Sequence, residues 1–114
     1  MAYIGSCHCG GIVFEVDSEI TEVIDCNCSM CRRRGGLIAF VPSEMVTLRT
    51  PESAISTYQF HKHVIQHHFC AVCGIAPFGE GDGMDGPIAA INVRCLPDVD
   101  LDSLVVIKVD GKQF

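Results

Sequence analysis

Phe69-Cys70-Ala71-Val72-Cys73-Gly74 carries the reading on which the fold turns. Two thiols separated by two residues can reach one ion from a single tight turn. A glycine after the second thiol permits a left-handed backbone whose amides point at sulfur. This is the form of a zinc knuckle. A tetrahedral ion needs four ligands, so the pair must find two more elsewhere in the chain. Outward from it, Cys7-His8-Cys9-Gly10-Gly11 offers a second pair that also ends in glycine, and Cys26-Asn27-Cys28-Ser29-Met30-Cys31 offers three thiols together.

Eight cysteines in 114 residues raise two rival explanations, a disulfide framework in an oxidising compartment or thiolate metal sites in a reducing one. Disulfide scaffolds scatter their cysteines to staple distant loops, whereas here all but Cys95 fall into three tight clusters. The spacing selects metal. Two plus two closes one tetrahedron, which assigns Cys7, Cys9, Cys70 and Cys73 to a structural zinc with an apparent binding energy of about 10–16 kcal/mol. Cys26, Cys28 and Cys31 remain for a second zinc whose fourth position is open to water or substrate, the pattern of a catalytic site. The expected complement is two Zn2+ per chain. Closure of the second site by Cys95 or a histidine is the competing assignment and would make that ion structural too. Cys95 reads equally well as a small buried thiol between Ile91 and Leu96.

The length suits one domain spanning 1–114, and nearly half of the residues are apolar, enough for a core. A net charge of −6 opposes a phosphate backbone, so nucleic acid is excluded as the main partner. The longest apolar runs, 37–41 and 88–91, are strand-sized and far short of the roughly 20 residues that span a bilayer, so no membrane partner is expected. Residues 1–6 lack the basic segment and apolar stretch of a secretory signal, and the expected location is the cytoplasm.

Short β-like runs at 12–16, 22–24, 37–41, 46–49, 55–60, 63–69, 88–93 and 104–109 predict a mainly β, antiparallel architecture. No stretch sustains a 3.6-residue apolar period. Helix is therefore expected only as single turns, at 29–33 or after Pro97. The segment 79–86 mixes four glycines with three acids, a composition that predicts a mobile surface loop. It lacks the lysine and hydroxyl of a phosphate cradle.

Arg32, Arg33 and Arg34 follow Cys31 directly. Arg32 and Arg33 are candidates for holding a substrate carboxylate by paired hydrogen bonds, against the alternative of a solvated basic turn. Gly35 and Gly36 would let the backbone pass close to a ligand. His61, His63, His67 and His68 lie on an extended run in which alternation puts His61, His63 and His67 on one face, and this reads as the polar face of a sheet rather than as ligands. His8 sits inside a knuckle whose thiols are the better ligands.

With these motifs in hand, the chain resembles the glutathione-dependent formaldehyde-activating enzyme family, which includes centromere protein V and shares the Mss4-like, zinc-bearing β-tent fold. The resemblance rests on C-x-C-G at Cys7-His8-Cys9-Gly10, C-x-C-S-x-C-R at Cys26-Asn27-Cys28-Ser29-Met30-Cys31-Arg32, and F-C-x-x-C-G at 69–74. It implies that the outer motifs share a structural zinc and that the middle one carries a zinc with an exchangeable position. It further implies a carbon-sulfur lyase activity, the condensation of glutathione with formaldehyde to S-hydroxymethylglutathione. Many members carry histidine where this chain has Asn27, and 92–96 resembles only a subset. The alternative function is a non-catalytic, zinc-stabilised protein-interaction module of the same fold.

Overall fold

Period-two alternation buries Phe14 and Val16 on one face of strand β2 (Val13–Asp17) and turns Asp17 outward. The same rule buries Ala39 and Val41 in β4 (Ile38–Pro42) and Ala89 and Ile91 in β9 (Gly86–Asn92). The computed structural model describes residues 2–59, 65–83 and 86–110. Its remaining strands are β1 (Ala2–Ser6), β3 (Glu22–Cys26), β5 (Val46–Leu48), β6 (Ile55–Tyr58), β7 (Gln66–Cys70), β8 (Phe78–Gly83) and β10 (Val105–Val109). The protein is mainly β, with one short helix and single 3-10 turns among the described residues. None of its described helices is long and apolar enough to cross a membrane.

The strands form two sheets, a small one in the order β1-β2-β5 and a larger one in the order β10-β3-β4-β9-β8-β7-β6. Their apolar faces meet in one buried cluster, with Ile12, Phe14 and Val16 contributed by β2 and its approach and Val23, Phe78 and Ile91 by the larger sheet. Phe14 and Phe78 make the aromatic contact across the layers, centroids 5.3 Å apart. All pairings are antiparallel except β10 with β3, which is parallel in the register Val106↔Val23. The antiparallel expectation fails there because the chain crosses over after β9 and returns to the far edge of the sheet.

Two readings of the sequence are corrected. The first is β1, which the period-two reading passed over because Ala2-Tyr3-Ile4-Gly5-Ser6 is short and half small residues; it pairs with β2 from Ala2↔Asp17 to Ser6↔Val13. The second is the 79–86 loop, of which 79–83 is strand, pairing with β9 as Gly79↔Ala90, Glu80↔Ala89 and Gly81↔Ile88; residues 84 and 85 lie outside the described residues. Glycine serves close approach here. A Cβ on Gly79 would sit 2.9 Å from the carbonyl oxygen of Gln66 on β7. Of the histidine run, His61 and His63 lie outside the described residues, His67 is half-buried, and His68, on the other face by alternation, is buried against Phe78, ring centroids 5.1 Å apart.

Gly79→Ala is expected to destabilise the protein by about 1–3 kcal/mol, since β7 and β8 must part to admit the methyl group. The measurement is the urea midpoint. An unchanged midpoint would show that the two backbones are not in the contact described.

Candidate metal centres

The two outer motifs fold into matching turns. Cys7 ends the approach from β1, and its amide donates to Ile12 O at 3.1 Å; Cys70 ends β7, and its amide donates to Ile75 O at 2.9 Å. Gly10 and Gly74 both take φ of 80°, a left-handed value that side-chain-bearing residues rarely adopt. Each turn aims amides at its first sulfur: Ile12 N–H donates to Cys7 Sγ at 3.3 Å and Val72 N–H to Cys70 Sγ at 3.4 Å.

These turns bring the sulfurs of Cys7, Cys9, Cys70 and Cys73 within 4.8 Å of one another. Cys7 Sγ lies 3.7 Å from Cys9 Sγ, which lies 3.5 Å from Cys70 Sγ. A disulfide needs about 2.05 Å, so the cysteines are free thiols. A tetrahedron with metal–sulfur bonds of about 2.3 Å has edges near 3.8 Å. The donor set therefore fits a thiophilic ion such as zinc. The electrostatics agree, because amides of Ile75 and Cys9 hold the Cys73 thiol down to about 6, whereas full ionisation of four adjacent thiols requires a cation to offset the repulsion.

The middle motif converges locally. Cys26 ends β3, Cys28 lies in the following turn and Cys31 opens the helix α1 (Cys31–Arg34). Their sulfurs also lie within 4.8 Å of one another, and all three residues are half-buried. Cys28 N–H donates to Cys26 Sγ at 3.4 Å and Cys31 N–H to Cys28 Sγ at 3.3 Å. Burial opposes the Cys28 thiolate, but the Cys31 amide and the neighbouring thiols outweigh it and lower its pKa. Burial and the adjacent Cys28 push Cys31 up to about 12. Among the described residues no fourth cysteine, histidine or carboxylate joins this group. These three sulfurs could hold a metal while leaving one position to a ligand from outside.

Cys95, weighed as a closing ligand, belongs to neither group. Burial, with smaller contributions from Cys7 and Cys73, pushes its thiol up to about 11. His8 is exposed on its turn and likewise belongs to neither.

The three arginines differ in their surroundings. Arg33 is tied to its own turn, Nη1 donating to Ser29 O at 2.7 Å, while Arg32 is exposed. Arg34 is partly desolvated, which lowers its pKa, and Cys31 opposes that shift. Its charge reaches His67 on β7, whose pKa is lowered first by burial and then by Arg34. Sequence reasoning passed over this electrostatic influence of Arg34 on His67, because nothing local ties α1 to β7. Gly35, with φ of 72°, ends the helix and donates to Cys31 O. Gly36 serves a different neighbour from the one expected: a Cβ there would meet the Asn92 side chain at 3.3 Å. That side chain is fixed by Nδ2 donating to Ala76 O and Oδ1 accepting from Arg94 N–H.

The same architecture occurs in the crystal structure of a protein from Rhodobacter sphaeroides, with a TM-score of 0.79 and 27% sequence identity over 96% of this chain and 100% of that one. The family model described as glutathione-dependent formaldehyde-activating enzyme matches residues 2–104, a span that contains all three cysteine motifs. The chain belongs to the glutathione-dependent formaldehyde-activating enzyme family.

Proposed function

We propose that the protein is a zinc-dependent carbon-sulfur lyase of the cytoplasm that joins glutathione, or a related small thiol, to formaldehyde to give S-hydroxymethylglutathione. The observation that carries this reading is the three-thiol group of Cys26, Cys28 and Cys31, which gathers no fourth described ligand in a chain of this family. Zinc, when bound there, would supply Lewis acidity that favours the thiolate form of a coordinated thiol. Cys26, Cys28 and Cys31 hold that ion in the proposal. Cys7, Cys9, Cys70 and Cys73 hold a structural one.

The chain's own contribution is to bind and orient. Arg32 and Arg33 anchor the substrate carboxylates, Arg33 with the N–H groups left after its bond to Ser29 O. Arg34, beside Cys31, adds positive charge that offsets the thiolates. In the reaction the thiol sulfur bonds to the carbonyl carbon, the π pair moves to oxygen, and the proton released from sulfur ends on that oxygen. No oxidant or reductant is needed, and eight free thiols suit a reducing compartment.

Calorimetric titration with glutathione should give saturable heat in the metal-loaded protein, weakened at least tenfold in Cys28→Ser. Absence of heat with any low-molecular-weight thiol would sink the proposal. Arg32→Ala combined with Arg33→Ala should raise KM for glutathione by about tenfold or more while kcat changes little, the signature of lost ground-state binding.

The two groups should separate under substitution. Cys70→Ser is expected to release one equivalent of metal with loss of the folded circular dichroism spectrum, because its group joins distant parts of the chain. Cys28→Ser should release one equivalent and leave the spectrum intact. Equal structural damage from both would contradict the division of roles.

A further inference from the structure

A cavity of about 470 Å³ opens between β5 of the small sheet and β6, β7 and β8 of the larger one. Small-molecule sites fall at about 300–1,000 Å³. None of the eight cysteines lines it. The proposed thiol chemistry therefore makes no use of it.

Its walls divide by chemistry. Val46, Leu48 and Phe78 supply an apolar side. Beside Phe78, Thr57, His68 and Glu80 form a hydrogen-bonded chain across three strands, with Thr57 Oγ1 2.9 Å from His68 Nδ1 and His68 Nε2 3.1 Å from Glu80 Oε1. A carboxylate only accepts, so Nε2 carries a proton toward Glu80, while Nδ1 and the Thr57 hydroxyl share the second hydrogen bond. Buried His68 thereby fixes the Glu80 carboxylate in place at the cavity while half of that side chain remains accessible. Glu52 supplies a second carboxylate. No lysine or arginine lies among the described lining residues.

We propose that this cavity binds a small organic cation, a protonated amine carried on a short apolar body. The Glu80 carboxylate, held by His68, and the exposed Glu52 carboxylate give the cleft a negative potential that attracts an ammonium group and disfavours an anion. The apolar wall of Val46, Leu48 and Phe78 covers the carbon skeleton. The inference is independent of the thiol reaction and adds a second ligand class to the protein.

The test uses the full metal-loaded chain and 2-phenylethylammonium as probe, with 2-phenylethanol and phenylacetate as neutral and anionic counterparts. Binding is followed by methyl and amide NMR shifts. The expected result is saturable movement of the Val46, Leu48 and Ile55 methyl signals with those around Cys28 and Gly35 unmoved. The alcohol should bind at least tenfold more weakly and phenylacetate not detectably. Glu52→Gln should weaken the ammonium probe several-fold, and Glu80→Gln similarly, since glutamine retains an acceptor for His68. Should Glu80→Gln disturb the fold, Glu52→Gln carries the comparison. No binding of the cation, equal or tighter binding of phenylacetate, or an affinity unchanged in Glu52→Gln would overturn the proposal.

Discussion

Four sulfur atoms sharing one small volume set the terms for the rest of the molecule. Cys7 and Cys9 follow the first strand of the small sheet, and Cys70 and Cys73 follow β7 of the large one. Their convergence within 4.8 Å links segments separated in sequence by about half the chain. Four thiols at such distances repel as they ionise, so the junction holds best around a cation. A domain this short buries only about two thirds of its unfolded surface, which makes such a cross-link valuable to its stability. The layered core, with Phe14 against Phe78, lies between the sheets that this junction ties together.

The middle group is built on the opposite plan. Cys26, Cys28 and Cys31 come from one strand end, one turn and the first residue of α1, so their convergence is local and spans no long loop. Amides within the same segment organise the sulfurs. Positioning from nearby backbone makes the group independent of the distant strands. One thiol group thus binds the fold together, while the other is carried on it.

Legibility in the sequence follows the same division. The knuckles were legible because ligand spacing and the left-handed glycine are local facts, and Gly10 and Gly74 take the conformation that their positions after cysteine imply. The single helical turn after the middle motif was legible for the same reason, with α1 at Cys31–Arg34 against an expected 29–33. Strand β8 was not, because a run of glycine and acid has the composition of a turn, and only the nearness of Gln66 O explains why glycine is needed at Gly79 in a strand. The surroundings of His68 were not legible for a related reason: alternation sets it opposite His67, but Thr57 and Glu80, which satisfy its ring nitrogens there, are brought beside it by neighbouring strands.

The buried histidine also bears on why the two sheets do not close completely. A ring that must keep both nitrogens paired holds Thr57 and Glu80 at fixed distances, and filling the adjoining space with apolar side chains would strip water from the Glu80 carboxylate at a desolvation cost of several kcal/mol. The polar chain and the cavity beside it are therefore one arrangement: the histidine is buried against Phe78, the carboxylate is left partly accessible, and open volume is the condition under which both can persist. An open cleft of ligand-sized volume with an apolar side and a carboxylate fixed by a buried histidine is the physical reason to look for a ligand in it.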